Sequence, residues 1–109
     1  MKYLVIDGYL NGTGIRDKYE GYIPLSELNL SAALSERIEL WLQKYWNEFY
    51  ANYPKKDKVA DLDAEGVEIT RAVSRELPED YKLEYFSDAR MQYIPWKTQN
   101  GNKIGTRDL

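Results

Sequence analysis

The hydrophobic positions change period along the chain, and each period predicts an element. Tyr3-Leu4-Val5-Ile6 is an unbroken run of β-formers, which predicts a strand buried on both faces and therefore central in a sheet. Asp7-Gly8 and Asn11-Gly12-Thr13-Gly14 break it, and residues 15–30 read as irregular. Within them Gly21-Tyr22-Ile23-Pro24 fits a short edge strand, because Pro24 cannot donate to a ladder. Ser31 is a good N-cap, and Leu34, Ile38, Trp41, Leu42, Tyr45 and Phe49 follow at steps of three and four. This predicts a helix from Ser31 to about Tyr53, stopped by Pro54 and roughly 35 Å long at ~1.5 Å per residue.

Pro54-Lys55-Lys56-Asp57-Lys58 reads as a charged linker. A second helix, capped by Asp61 or Asp63, carries the stripe Leu62, Gly66, Ile69, Val73 and Leu77 and ends at Pro78. Gly66 on that stripe costs about 1 kcal/mol against alanine, which points to close approach of the long helix or the sheet. Tyr81 to Phe86 alternates as a strand with one wet face, and Ser87-Asp88-Ala89-Arg90 turns into a partner strand, Met91 to Ile94. The sum is β-α-α-β-β: an α/β two-layer sandwich, a small sheet with two helices packed on one face. If the first and second strands are parallel neighbours, the two-helix crossover between them should be right-handed. Residues 1–96 form the single expected domain, and 97–109 a polar tail or short hairpin with a turn at Asn100-Gly101.

Composition narrows the chemistry. The 109 residues include no Cys and no His. Thiolate nucleophiles, imidazole bases and the usual soft or imidazole metal ligands are therefore absent. No cofactor motif or metal-ligand pattern takes their place, so the expectation is a binding protein without cofactor or metal rather than an enzyme. The short apolar run before Asp7 resembles no signal sequence, and no stretch approaches a membrane span; the expected location is the cytoplasm.

Charge is uneven. Residues 61–88 hold nine acids and three bases, a net −6, while residues 1–60 balance to zero. Such a segment repels nucleic acid and attracts basic protein surfaces. Asp61, Asp63, Glu65 and Glu68 are the densest group and the first candidates for contact with a partner. Trp46, Tyr50 and Tyr53, at the margin of the helix stripe, are the second, since Tyr and Trp favour interfaces. Two other constellations offer different chemistry. The Gly-rich loop 8–17, with Thr13 and Arg16, offers a phosphate cradle, and with it a small-ligand or phosphate-binding enzyme domain. It lacks the spacing of known nucleotide loops. Asp7, Asp17 and Asp88 could form paired carboxylates or an oxygen-ligand metal site if the fold brings them together.

Several stretches between Gly21 and Met91 carry a family resemblance: Tyr22-Ile23-Pro24-Leu25, Leu30-Ser31 with Trp41 and Tyr45, Asp63-Ala64-Glu65-Gly66-Val67-Glu68-Ile69, and Tyr85-Phe86-Ser87-Asp88-Ala89-Arg90-Met91. They resemble small bacterial immunity proteins of polymorphic and contact-dependent growth-inhibition toxin systems. The resemblance implies one partner, a toxin domain, often a basic nuclease, whose active site or substrate groove the protein covers. It transfers no binding residues.

Overall fold

The computed structural model describes residues 2–53 and 56–97. Strand β1 (Lys2–Ile6) lies at the centre of a five-stranded mixed sheet. β2 (Ile15–Asp17) and β3 (Gly21–Tyr22) extend it on one side; β4 (Tyr81–Ser87) and β5 (Gln92–Ile94) extend it on the other. β1 and β4 run parallel, with Leu4 opposite Leu83 and Ile6 opposite Tyr85, and the other three pairings are antiparallel. The central position explains why Leu4, Val5 and Ile6 are all buried. Between β3 and β4 come a 3-10 turn (Leu25–Leu28) and the helices α1 (Ala32–Tyr50) and α2 (Lys56–Glu76).

The architecture is the expected two-layer α/β sandwich, with one addition. Residues 15–30 are less irregular than the pattern suggests, for Ile15–Asp17 is a strand. Three residues flanked by glycine and a turn are too short to show a period. Ile15 nevertheless reaches the core with Leu4, Ile6, Leu83 and Tyr85. The two edge strands are short and each is followed by proline, at Pro24 and Pro95.

Both helices bury the predicted stripes against one sheet face: Leu34, Ile38, Trp41, Leu42 and Tyr45 from α1, and Leu62, Ile69 and Val73 from α2. Ser31 caps α1, its Oγ accepting from the Leu34 amide. Its own amide and hydroxyl donate to the Glu76 carboxylate at 2.7 and 2.8 Å, joining the start of α1 to the end of α2. At mid-length the Trp41 indole donates to the Leu62 carbonyl at 2.9 Å. A Cβ on Gly66 would sit 2.3 Å from the Tyr85 ring, so the close approach is to the sheet.

Three boundaries differ from the sequence reading. α1 stops at Tyr50, about 28 Å long. Asn52 and Tyr53 turn into the left-handed region, at φ 65° and 49°, and their amides donate back to the carbonyls of Phe49 and Glu48. Pro54, the expected stop, lies outside the described residues, as do Lys55 and the expected turn at Asn100-Gly101. α2 starts at Lys56, so Lys56-Asp57-Lys58 is helix rather than linker, and Asp61 and Asp63 do not cap it. Phe49 is 45% exposed rather than core. One helical turn before it, Tyr45 already reaches past the end of β4, its hydroxyl accepting from the Ala89 amide at 2.9 Å.

Candidate functional site

The parallel strands β1 and β4 each end in an aspartate. Asp7 follows Ile6, and Asp88 follows Ser87. Because the strands are neighbours in register, both carboxylates arrive at one rim of the sheet and line one pocket of about 590 Å³. That size falls within the range of ligand pockets.

Strand pairing supplies one wall. Val5 opposes Arg16, and Arg16 opposes Tyr22, so Asp7, two residues beyond Val5, shares the outer sheet face with both. Asp7 is only 2% exposed and fully engaged. Its Oδ2 accepts from Arg16 Nε at 2.8 Å, and its Oδ1 from the Tyr22 hydroxyl at 2.6 Å and the Tyr9 amide at 3.3 Å. Burial, then the hydrogen bond to this carboxylate, drive the Tyr22 phenol far above its ordinary value, so it remains a neutral donor.

Asp88 differs. It is half-buried, and among the described residues it has neither a side-chain hydrogen bond nor an ion pair. Burial, and secondarily the charge of Asp7, raise its pKa to about 6, partly offset by Arg16. The remaining lining is aromatic and aliphatic: Tyr9, Phe49, Tyr53, Phe86 and Met91. Tyr53 meets Tyr45 and Phe49 edge-on at 6.0 and 6.2 Å. Tyr53 and Met91 both hold left-handed backbone, at φ 49° and 55°, which is costly for residues with long side chains. Met91 is 75% exposed at the mouth.

The predicted site residues fall into separate groups. Tyr53 lines the pocket. Tyr50, 73% exposed, packs edge-on against Phe49 beside it. Trp46 holds the adjoining loop, its indole N–H shared by the carbonyls of Gly8 and Tyr9 at 3.2 and 3.1 Å. The α2 acids lie elsewhere. Asp61 is exposed; Glu65 forms a two-point pair with Arg37 at 2.7 and 2.9 Å; Glu68 pairs with Arg71. Arg37 holds the Glu65 carboxyl below its usual range.

Asp63 requires correction as a surface acid, for it is 5% exposed and faces the sheet. It accepts from the Tyr85 hydroxyl at 2.7 Å and the Ser87 hydroxyl at 3.0 Å, with Arg90 Nε at 3.1 Å. Inside α2, rather than at its cap, it lies three residues before Gly66 and seven before Thr70, on the helix face that is buried.

In the loop before β2 the glycines and the arginine have structural work of their own. A Cβ on Gly12 would lie 2.7 Å from the Tyr22 ring, Gly14 needs its φ of +96°, and Arg16 is committed to Asp7. Of the three candidate aspartates, Asp17 instead caps the β2–β3 turn, accepting from the Tyr19 and Glu20 amides. Asp7 and Asp88 do come together. Sequence offers them as candidates, with Asp7 after one strand and Asp88 in the turn after another, and the parallel pairing of β1 and β4 brings them to one rim. The aromatic lining was not legible in the sequence, since Phe49 reads as core and Phe86 and Met91 as ordinary strand residues.

A family model described as Serratia CdiI immunity protein-like matches residues 13–88. The chain belongs to this family. No individual curated protein matches it. The matched span runs from the loop before β2 to the end of β4, and so takes in both helices and, within the pocket, Arg16, Tyr22, Phe49, Tyr53, Phe86 and Asp88. Asp7 precedes it. Membership in an immunity family implies a cognate toxin as partner. Among the described residues no helix is long and apolar enough to cross a membrane.

Proposed function

We propose that this chain is the immunity protein of a toxin pair, binding its cognate toxin domain in the cytoplasm and neutralising it without catalysis. The toxin in this reading is a basic nuclease whose active site or substrate groove is covered. The observation that carries the proposal is family membership across both helices and strands β2 to β4. The surface supports it. Tyr9, Phe49, Tyr50 and Met91 are all exposed around the strand-end pocket, and large side chains of this kind anchor protein interfaces. Asp61, Glu65 and Glu68 on α2 serve as an outlying acidic rim that speeds encounter with a basic partner.

Co-expression tests the reading. Cells producing the toxin domain alone should stop growing, and cells producing both proteins should grow, with the two proteins co-purifying in equal amounts. Growth arrest undiminished by this chain, with no complex formed, would remove the toxin-neutralising function.

A further inference from the structure

The strand-end pocket combines features that select one kind of occupant. Its lining is largely apolar: Phe49, Phe86 and Met91 offer surface to an extended aliphatic chain. Ring faces attract cations, and Tyr9, Tyr22 and Tyr53 bring further rings to the same space. Its two carboxylates and one guanidinium leave an excess negative charge. The charge is also localised. Arg16, Tyr22 and the Tyr9 amide all converge on Asp7, so the neutralising cation inside the pocket is already engaged there. Asp88 is the carboxylate left without a partner among the described residues, half out of water and flanked by rings. A second acid with a small polar head would meet repulsion from both carboxylates, and a purely apolar chain would further dehydrate Asp88 without compensation. A basic side chain supplies both the stem and the charge.

We propose that this pocket takes a lysine or arginine side chain of the toxin, its charged head against Asp88 and its stem along Phe49, Phe86 and Met91. The inference deepens the toxin-binding reading by naming the surface and the chemistry of its central contact. It also gives Asp88 a reason to stand partly buried with no counter-charge among the described residues: that charge arrives with the partner. Its raised pKa fits a site that awaits a cation.

Two measurements separate this proposal from the reading it rests on. In the first, isotope-labelled protein is titrated with Nα-acetyl-lysine methylamide, with the arginine equivalent, and with the norleucine equivalent, which keeps an aliphatic chain but has no charge. The basic probes should shift the backbone amides of Gly8, Ala89 and Met91 saturably, the norleucine probe should not, and Asp88→Asn should abolish the effect. Equal shifts with norleucine would make the pocket an apolar anchor site. Shifts confined to the α2 acids, or none at any soluble concentration, would equally overturn the proposal. In the second, the toxin domain is titrated against wild type, Asp88→Asn and the remote surface variant Glu79→Gln. Asp88→Asn should weaken binding about thirtyfold or more, the effect of removing one member of a desolvated charge pair, and Glu79→Gln should leave it unchanged. Toxin binding that Asp88→Asn leaves intact would refute the pocket contact while preserving the immunity reading. Toxin binding by none of the three would refute the immunity reading, and the amide titration would still decide what the pocket accepts.

Discussion

Asp7 and Asp88 end adjacent parallel strands and line the same pocket, yet among the described residues only Asp7 has its charge answered. Asp7 accepts from Arg16, Tyr22 and the Tyr9 amide, whereas Asp88 has burial and the neighbouring charge of Asp7 against it. The pair sets stability against binding at one residue.

Asp88→Asn should therefore stabilise the free protein at neutral pH. The folded-state pKa of Asp88, about 6, lies above its ordinary value of 3.8. The folded state thus binds the proton more tightly, and stability contributed by this group falls as pH rises from about 4 to 6. The groups facing it are Asp7, Arg16 and the phenols of Tyr22, Tyr45, Tyr53 and Tyr85. The gain at pH 7 should be about 1 kcal/mol, discounted for partial contact with water, and should vanish below pH ~4. Thermal melts of both proteins across this range check it; a variant less stable at pH 7 would contradict it.

Asp63 has the opposite role. It gathers the hydroxyls of Tyr85 and Ser87 and the guanidinium of Arg90 beneath α2. Asp63→Ala leaves the buried Tyr85 hydroxyl without its acceptor and should cost about 3–5 kcal/mol in urea unfolding. A loss below about 1 kcal/mol would mean that the network does not hold helix and sheet together.

Gly66→Ala separates packing from helix propensity. On propensity alone alanine should stabilise an interior helical position by about 1 kcal/mol. Here its Cβ would fall 2.3 Å from the Tyr85 ring, whose hydroxyl is tied to Asp63, so the ring cannot move aside freely. A net loss of about 1–3 kcal/mol is expected. A raised unfolding midpoint would show that the α2–β4 contact is looser than described.

The α2 rim should act on rate rather than grip. Glu65 and Glu68 are already paired with Arg37 and Arg71, which reduces what they offer a partner. Changing both to lysine should leave the fold intact, slow association with a basic toxin and flatten its salt dependence. Stopped-flow association at low and high salt measures both quantities. An unchanged rate at both would take α2 out of the encounter surface.

Much of the fold was written in periodicity, and much of the site was not. The stripes of α1 and α2 and the unbroken run at Leu4-Val5-Ile6 specify two layers and a central strand, because burial imposes those patterns directly. Ile15–Asp17 escaped because three residues carry no period. Asp63 reads as a cap because an aspartate before a helical stripe usually is one, whereas its spacing of three and seven from Gly66 and Thr70 puts it on the buried face once it lies inside α2. Phe49 continues the stripe in sequence but passes beyond the sheet in space. That is a fact about relative element lengths that no single helix encodes. The pocket needed the strand order as well, since only the parallel pairing of β1 and β4 brings Asp7 beside Asp88.

Amide hydrogen exchange of the toxin complex tests most directly where this protein grips its partner. Protection should rise on binding at residues 8–9, 49–53 and 88–91 around the strand-end pocket, with smaller changes along α2 at residues 61–68. Protection confined to α2, with the pocket amides exchanging as in the free protein, would contradict the pocket as the centre of the interface.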